Sequence, residues 1–416
     1  MSLADKASLL LIPTGYKSQK VYSIFPTDGV GDFDFSRSSS ATRIAKNGLI
    51  TTVAANVPRL EYPMIDGEVV GCPSLILEGA RTNLVTYSED FSNAAWTKSN
   101  SSIVSDSTIS PDGTLNSDKL VINTSAGYLG GTFISSGNTD VTVSFFVKSD
   151  TLSSFTFAES FYFGTITSFD LSNGTTDNGK IENYGNGWYR CSKTYTYASG
   201  QQIVAIQIKT GAVGSLYIFG GQYEEGSYPT SYIKSNSGYT TTRSAETCNG
   251  AGDSATFNDS EGVLMVEMNR FKQSGVTDYL SFGIFDSSGN NAVAFKFRNS
   301  LNVFYTSIES TLGSPRTDLN YTFNDLSSST KILVKYKTND FALWVNGFKV
   351  VTDSSGYVPT GLNQLKFSNF SNSEPFNGNT KQVQYYNSAL TDSELEKISS
   401  WTSFTDMAQG QLYTIE

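Results

Sequence analysis

Residues 202–219, QIVAIQIKTGAVGSLYIF, alternate in a way that decides the fold. Val204, Ile206 and Ile208 fall on one side of the run, and Ile203, Ala205, Gln207 and Lys209 on the other. Successive strand side chains point to opposite faces, so one face is apolar and the other mixed, as in a sheet covered on one side. The same rhythm sets strands at Val141–Lys148, Tyr189–Tyr197, Gln202–Lys209 and Ser215–Phe219. It resumes at Gly262–Phe271, Tyr279–Phe285, Ala292–Phe297, Asn302–Ile308, Lys331–Tyr336 and Gln364–Phe367. Clusters of Gly, Asn, Ser and Asp separate the runs, the pattern of a sandwich or jelly roll. Phe341–Val345 and Phe348–Val351 flank Asn346–Gly347, a hairpin turn in which both positions need positive φ. The expectation is an all-β fold: two tandem antiparallel β-sandwich (jelly-roll) modules after a loop-rich N-terminal segment, with one short C-terminal helix. That helix begins at Thr391, which can form a capping box with Glu394 while Leu390 staples against Leu395.

Composition narrows the chemistry. Of 416 residues, 29 are basic and 39 acidic, giving a formal charge of −10, with no basic cluster for a phosphate backbone, so no nucleic acid partner is expected. Histidine is absent, which excludes a Ser-His-Asp or Cys-His relay and any metal site built on this chain's imidazoles. Cys72, Cys191 and Cys248 are too far apart for a paired motif and read as small buried apolar residues. The N-terminus lacks a charged region and an apolar core of signal length, and no run approaches a membrane span. Synthesis in the cytoplasm without a signal peptide, and no membrane insertion, are the expectations.

The stretch 234–253, KSNSGYTTTRSAETCNGAGD, has no large aliphatic side chain and reads as a linker. The segments expected are therefore 1–84, a loop-rich attachment and oligomerisation segment; 85–235, a jelly roll; 236–253, the linker; 254–402, a second sandwich; and 403–416, a tail. In the first segment arginines recur in polar, helix-poor surroundings. Arg59 and Arg81, through carboxylates such as Glu78 or Glu61, are candidates for bidentate bracing of long loops, with exposed surface pairs as the alternative.

Several phrases carry a resemblance: FSRSSSATRIAKNGLI at 35–50, ANVPRLEYP at 55–63, CPSLILEGARTNL at 72–84 and YSEDFSNAAWTKSN at 87–100. NGWYRCSKTYT at 186–196, IFGGQYEEGSYPTSYIKS at 218–235 and TTTRSAE at 240–246 continue it. Over roughly its first 246 residues the chain resembles bacteriophage virion proteins of the head-spike, head-fibre or tail-fibre-like kind, which carry a carbohydrate-binding-type jelly roll. Tyr223 and Lys234 depart from that phrase, where an aliphatic residue and a proline are usual. The LWVNGFKVV hairpin at 343–351 and VQYYNSALTDSELEKI at 383–398 resemble concanavalin A-like or laminin-G-like domains.

The resemblance implies a virion surface protein, a fibre or decoration protein mediating weak multivalent adhesion to cell-surface glycans. Its partners would be other virion proteins of capsid or tail, host surface glycans, and its own copies in a dimer or trimer that buries the core-poor N-terminal segment. Sugar binding needs exposed flat rings. Tyr162 (with Phe161 and Phe163), Tyr184, Tyr305 and Trp344 are the candidates, and each also fits a sandwich core; Trp188 is assigned to the core and Trp96 to a turn after Ser92. No cofactor is expected apart from a structural calcium, which the resembled folds often carry. Asp106, Asp112 and Asp118 are its candidate ligands, against a solvated acidic loop. Without histidine, a polysaccharide depolymerase would need a carboxylate pair. Glu224 and Glu225 are adjacent and would face opposite ways in a strand, and Glu159 sits near Tyr162, so no catalytic residue is assigned and the chain is not expected to be an enzyme. A depolymerase and a ligand-free decoration protein remain the alternatives.

Overall fold

The computed structural model describes residues 3–137, 139–271, 279–298, 303–310, 317–323 and 326–401; the expected tail 403–416 lies outside the described residues. All but one short helical turn and one α-helix of its regular structure is strand, and every named pairing is antiparallel. The expected strands form within a few residues of their anticipated ends, and Asn346 and Gly347 take φ of 47° and 90° in the hairpin turn. The α-helix Asp392–Ser399 has its capping box: Thr391 accepts from the Glu394 backbone, and the Glu394 carboxylate accepts from the Thr391 N–H at 3.0 Å. Leu390 and Leu395 are buried together against Val263 and Trp344. No helix among the described residues is long and apolar enough to cross a membrane.

The jelly roll is two six-stranded sheets drawn from residues 97–225. Val204, Ile206 and Ile208 are buried as their alternation requires, against Phe145, Phe157 and Trp96. Tyr223 is accommodated among these rings, with its centroid 4.7 Å from that of Phe133. Trp96 donates its indole N–H to the Tyr87 carbonyl at 2.8 Å and Trp188 is buried, both as expected.

The second sandwich is not a tandem neighbour. One of its sheets runs Phe348–Asp353, Phe341–Val345, Thr330–Lys337, Glu261–Arg270, Gly378–Tyr386, Ser74–Leu77 and Leu60–Glu61, with Leu9–Leu11 also paired to Gly378–Tyr386. The facing nine-stranded sheet places Phe33–Ser36 beside Thr247–Ala251. The N-terminal segment therefore supplies strands to both sheets, and Leu9, Leu11, Phe33, Phe35, Leu75 and Leu77 share one core with Leu264, Phe282, Phe367 and Tyr385. The reading of residues 1–84 as core-poor is corrected: its apolar residues are spaced too widely to cluster locally, and they are buried in their own chain.

The jelly roll is inserted into this sandwich. The chain leaves through Arg81–Asn83 and returns through Thr241–Arg243, and these two strands pair, Arg81 opposite Arg243 and Asn83 opposite Thr241. Residues 236–253 are thus no linker. Thr247–Ala251 is a strand between two others, and Arg243, Glu246, Cys248 and Ala251 are buried. The segment lacks large aliphatics because it buries paired charges and small side chains instead.

Those charges form one network at the neck. Arg59, fully buried, forks onto Glu246 through Nε at 2.8 Å and Nη2 at 2.5 Å, and Nη2 also reaches Glu78 at 2.8 Å. Arg37 donates to Glu246 at 2.6 Å, and Arg243 to Glu78 at 2.5 Å. Ser231, at the exit of the jelly roll, donates its backbone N–H to Glu78 at 2.9 Å and its hydroxyl to the same carboxylate at 2.6 Å. Burial alone would raise the Glu78 carboxyl, but Arg243, Arg59 and Ser231 outweigh it and hold it at about 2. Arg59 bonds Glu78, one of the carboxylates named for it, and gains a partner that was not named. Glu246, remote in sequence, takes the fork of Arg59, while Glu61 makes no hydrogen bond to it. Arg81 stands 4.0 Å from Glu224 with its guanidinium over the Tyr228 ring, because its strand turns it to the other side of the neck.

Two outcomes follow. Residues 85–235 should fold alone, whereas residues 247–401, with Gly378–Tyr386 stripped of two partners, should not; a dispersed NMR spectrum from the latter fragment would refute the shared core. Removing Arg59 takes from two buried carboxylates the cation they share, so Arg59→Met should cost about 3–5 kcal/mol. Arg59→Lys, which keeps charge without the fork, should lose much of that, and Arg81→Lys far less, as read by thermal melting.

Candidate functional site

The outer face of one jelly-roll sheet is set by alternation. In Thr139–Ser149, Val143, Phe145 and Val147 point into the core, so Thr142, Ser144 and Phe146 point out. In the next strand Cys191 points in, and Arg190, Ser192 and Thr194 stand opposite Phe146, Ser144 and Thr142. The edge strand Lys180–Asn183 adds Glu182 opposite Arg190. Over this face lie Glu61, Tyr62 and Met64 from the N-terminal segment, Tyr228 from the jelly-roll exit, and Asn269, Phe271 and Lys381 from the second sandwich. Together they enclose a cleft of about 990 Å³ between the two sandwiches.

Of the sugar-binding candidates whose side chains are described, Tyr162 and Trp344 do not line this cleft, and Tyr184 does. It is half-buried and meets Phe146 edge-on, with centroids 4.9 Å apart. Tyr228 lies against Phe271 at 5.4 Å, so the cleft offers aromatic surface from both sides. Arg190 is buried at the floor beneath Tyr184, its guanidinium over Phe146 at 5.4 Å. Burial pushes the Glu61 carboxyl up to about 7 against the pull of Arg59. Glu182 goes the other way: Lys180, at 2.8 Å, overcomes burial and lowers it.

The other candidates lie elsewhere. Tyr162 is half-buried in a turn between Phe161, 57% exposed, and Phe163. Glu159 is buried beneath that turn and accepts the backbone N–H groups of Phe161, Tyr162 and Phe163 at 3.2, 2.9 and 2.7 Å, a structural role. The side chain of Tyr305 lies outside the described residues. Trp344 is corrected from platform to core: it is 5% exposed, because the face of its strand is covered by the C-terminal helix. Glu224 is fully buried and satisfied by Gln222 and Thr230, and Glu225 accepts from the Ser136 backbone, so they do not converge.

Asp106, Asp112 and Asp118 do not form a ligand set. Asp112 closes its own turn, accepting from Ser110, Thr114 and Asn116. Asp118 is buried, accepts the Phe91 and Asp106 N–H groups at 2.9 and 3.1 Å, and is pushed up to about 6 by burial. Asp106 offers Asp118 its backbone while its side chain faces solvent, and no group of three metal-binding side chains occurs among the described residues.

No protein-family model matches the chain, and no curated protein does. The virion-protein resemblance thus stands on its quoted phrases. Among solved structures, the chain is similar to the CBM40 of the Ruminococcus gnavus IT-sialidase bound to alpha2,3 sialyllactose, at 17% identity over 34% of this chain and 84% of that one, with a TM-score of 0.28. It is similar to the NanB sialidase of Streptococcus pneumoniae at 14% identity over 36% of this chain and 26% of that one, TM-score 0.29. The binding domain of botulinum neurotoxin DC, in complex with SialylT, is 10% identical over 39% of this chain and 40% of that one, TM-score 0.31. These partial likenesses leave the function to be read from the residues.

A pH signature follows from Glu61. Its folded carboxyl titrates near 7, above the unfolded value, so the folded state holds an extra proton between the two and loses stability as pH rises through that window. Glu61→Gln should therefore raise the melting temperature at pH 8 relative to wild type and change it little at pH 5. Equal shifts at both values would show that the carboxyl is not raised.

Proposed function

We propose that this chain is a glycan-binding protein of a phage particle surface, and that the cleft between its sandwiches is where a saccharide lies. The single observation carrying the binding reading is the cleft itself: about 990 Å³, with Tyr184, Tyr228 and Phe271 presenting ring surface and charged and amide side chains beside them. A pyranose has an apolar face for a ring and hydroxyls for such polar groups. Placement on a virion, with capsid or tail proteins as partners, is supported by the quoted phrases alone. A weak single site suffices there, because copies arrayed on one particle raise avidity without new contacts.

A second reading is favoured by one observation. Glu61, held near 7, and Glu182, held low, line one cleft, and carboxyls pushed apart in this way suit an acid and a base in glycoside hydrolysis. Binding without cleavage is the reading adopted, because Glu182 spends its charge on Lys180.

A glycan array should show binding for the chain, stronger when copies are displayed on particles or beads, and lost in Tyr184→Ala. Blank arrays for the displayed form would refute glycan binding and leave a decoration protein. Reducing ends released from host polysaccharide, and abolished in Glu61→Gln, would establish the hydrolase instead.

A further inference from the structure

The floor of the cleft holds a buried cation with no carboxylate in direct contact. Arg190 is 4% exposed. Its Nη2 donates to the Ser144 hydroxyl at 3.1 Å and the Thr230 carbonyl at 2.8 Å, which fixes the guanidinium plane. Its Nε is buried without a partner, and the Tyr184 hydroxyl is its neighbour on the cleft side. Glu182 and Glu224 favour its charge from a distance, but each has its closest bonds elsewhere. Glu182, directly opposite, pairs with Lys180 at 2.8 Å, and Glu224 takes its bonds from Gln222 and Thr230. Among the described residues no carboxylate reaches ion-pair distance of Arg190. An arginine does not shed its proton, and with no carboxylate in direct contact this buried charge keeps room for a closer anion that enters the cleft.

We propose that the saccharide taken by this cleft is acidic, its carboxylate received by Arg190 and its ring laid against Tyr184; the inference rests on the glycan-binding reading and narrows it. The guanidinium edge is a planar fork matched to a carboxylate. Phe146 beneath it excludes water from one side at 5.4 Å, so the charge-assisted bond forms in low dielectric. Of the other acidic groups lining the cleft, Glu61 is pushed towards its neutral form by burial, which weakens its repulsion of an incoming anion, and the charge of Glu78 is matched by Arg59 and Arg243.

The test is calorimetric titration of the whole chain with matched pairs: tri-galacturonate beside its neutral galactose trimer, and sialyllactose beside lactose, with inorganic phosphate as a further probe. The acidic member of at least one pair should bind at least about tenfold more tightly, the scale of a charge-assisted hydrogen bond. Arg190→Gln and Arg190→Lys should remove that preference. Equal affinity within both pairs would overturn the acidic-sugar inference while leaving glycan binding standing, whereas no binding of any sugar would overturn both. Phosphate binding as tight as the acidic sugars would show a general anion site and overturn it too. Should the Arg190 variants fail to fold, wild type decides: the acidic sugars' affinity must fall with added NaCl more steeply than the neutral ones', and parallel salt dependences would refute the role of charge.

Discussion

Five buried charges at the neck set the terms for the rest of this molecule. Arg37, Arg59 and Arg243 share Glu78 and Glu246, and each has negligible exposure to solvent. Charges out of water are tolerated when every partner is in place, and costly when one is missing. The residues come from both passes of the chain, before the jelly roll and after it. Satisfying them therefore requires the insertion to be seated and both flanks of the host sandwich to be assembled. The network is less a source of net stability than a condition on which arrangement is allowed.

That condition explains why the cleft exists. Two sandwiches joined by a flexible linker would hold no fixed space between them. Here the jelly roll enters and leaves through paired strands, and Ser231 at its exit is bonded to Glu78. The outer sheet face bearing Phe146 and Arg190 is thus held against the N-terminal segment and the second sandwich. Arg81, which does not join the network, props Tyr228 at the cleft's edge. Bracing and binding surface meet across a single neck.

The phrases quoted from the first 246 residues acquire a physical meaning in this light. FSRSSSATR contains Arg37, NVPRLEYP contains Arg59, LILEGAR contains Glu78, and TTTRSAE contains Arg243 and Glu246. Scattered over some 200 residues, they meet in one buried cluster. Spacing within each phrase says little about this, because each contributes one or two members. Arg190 was hidden in the same way: in NGWYRCSKTYT it sits next to Cys191, and only the alternation of the strand, once the core side is known, turns it towards the cleft.

What the sequence determined alone is what depends on neighbours along the chain. Alternation gave the strands, Asn346–Gly347 the hairpin, and Thr391 with Glu394 the helix start, because each is a contact between residues a few positions apart. The absence of histidine likewise removed whole classes of chemistry without reference to structure. Tertiary structure decided which strands share a sheet, and so turned a supposed tandem with a linker into an insertion with a paired neck. It put Trp344 under a helix, left Phe161 in the open, and brought Tyr184 to Arg190 at the foot of a cleft. Those outcomes depend on long-range pairing and on what covers a face. Neither is written in local periodicity, which specifies that a side chain has two possible sides and leaves the choice to the packing.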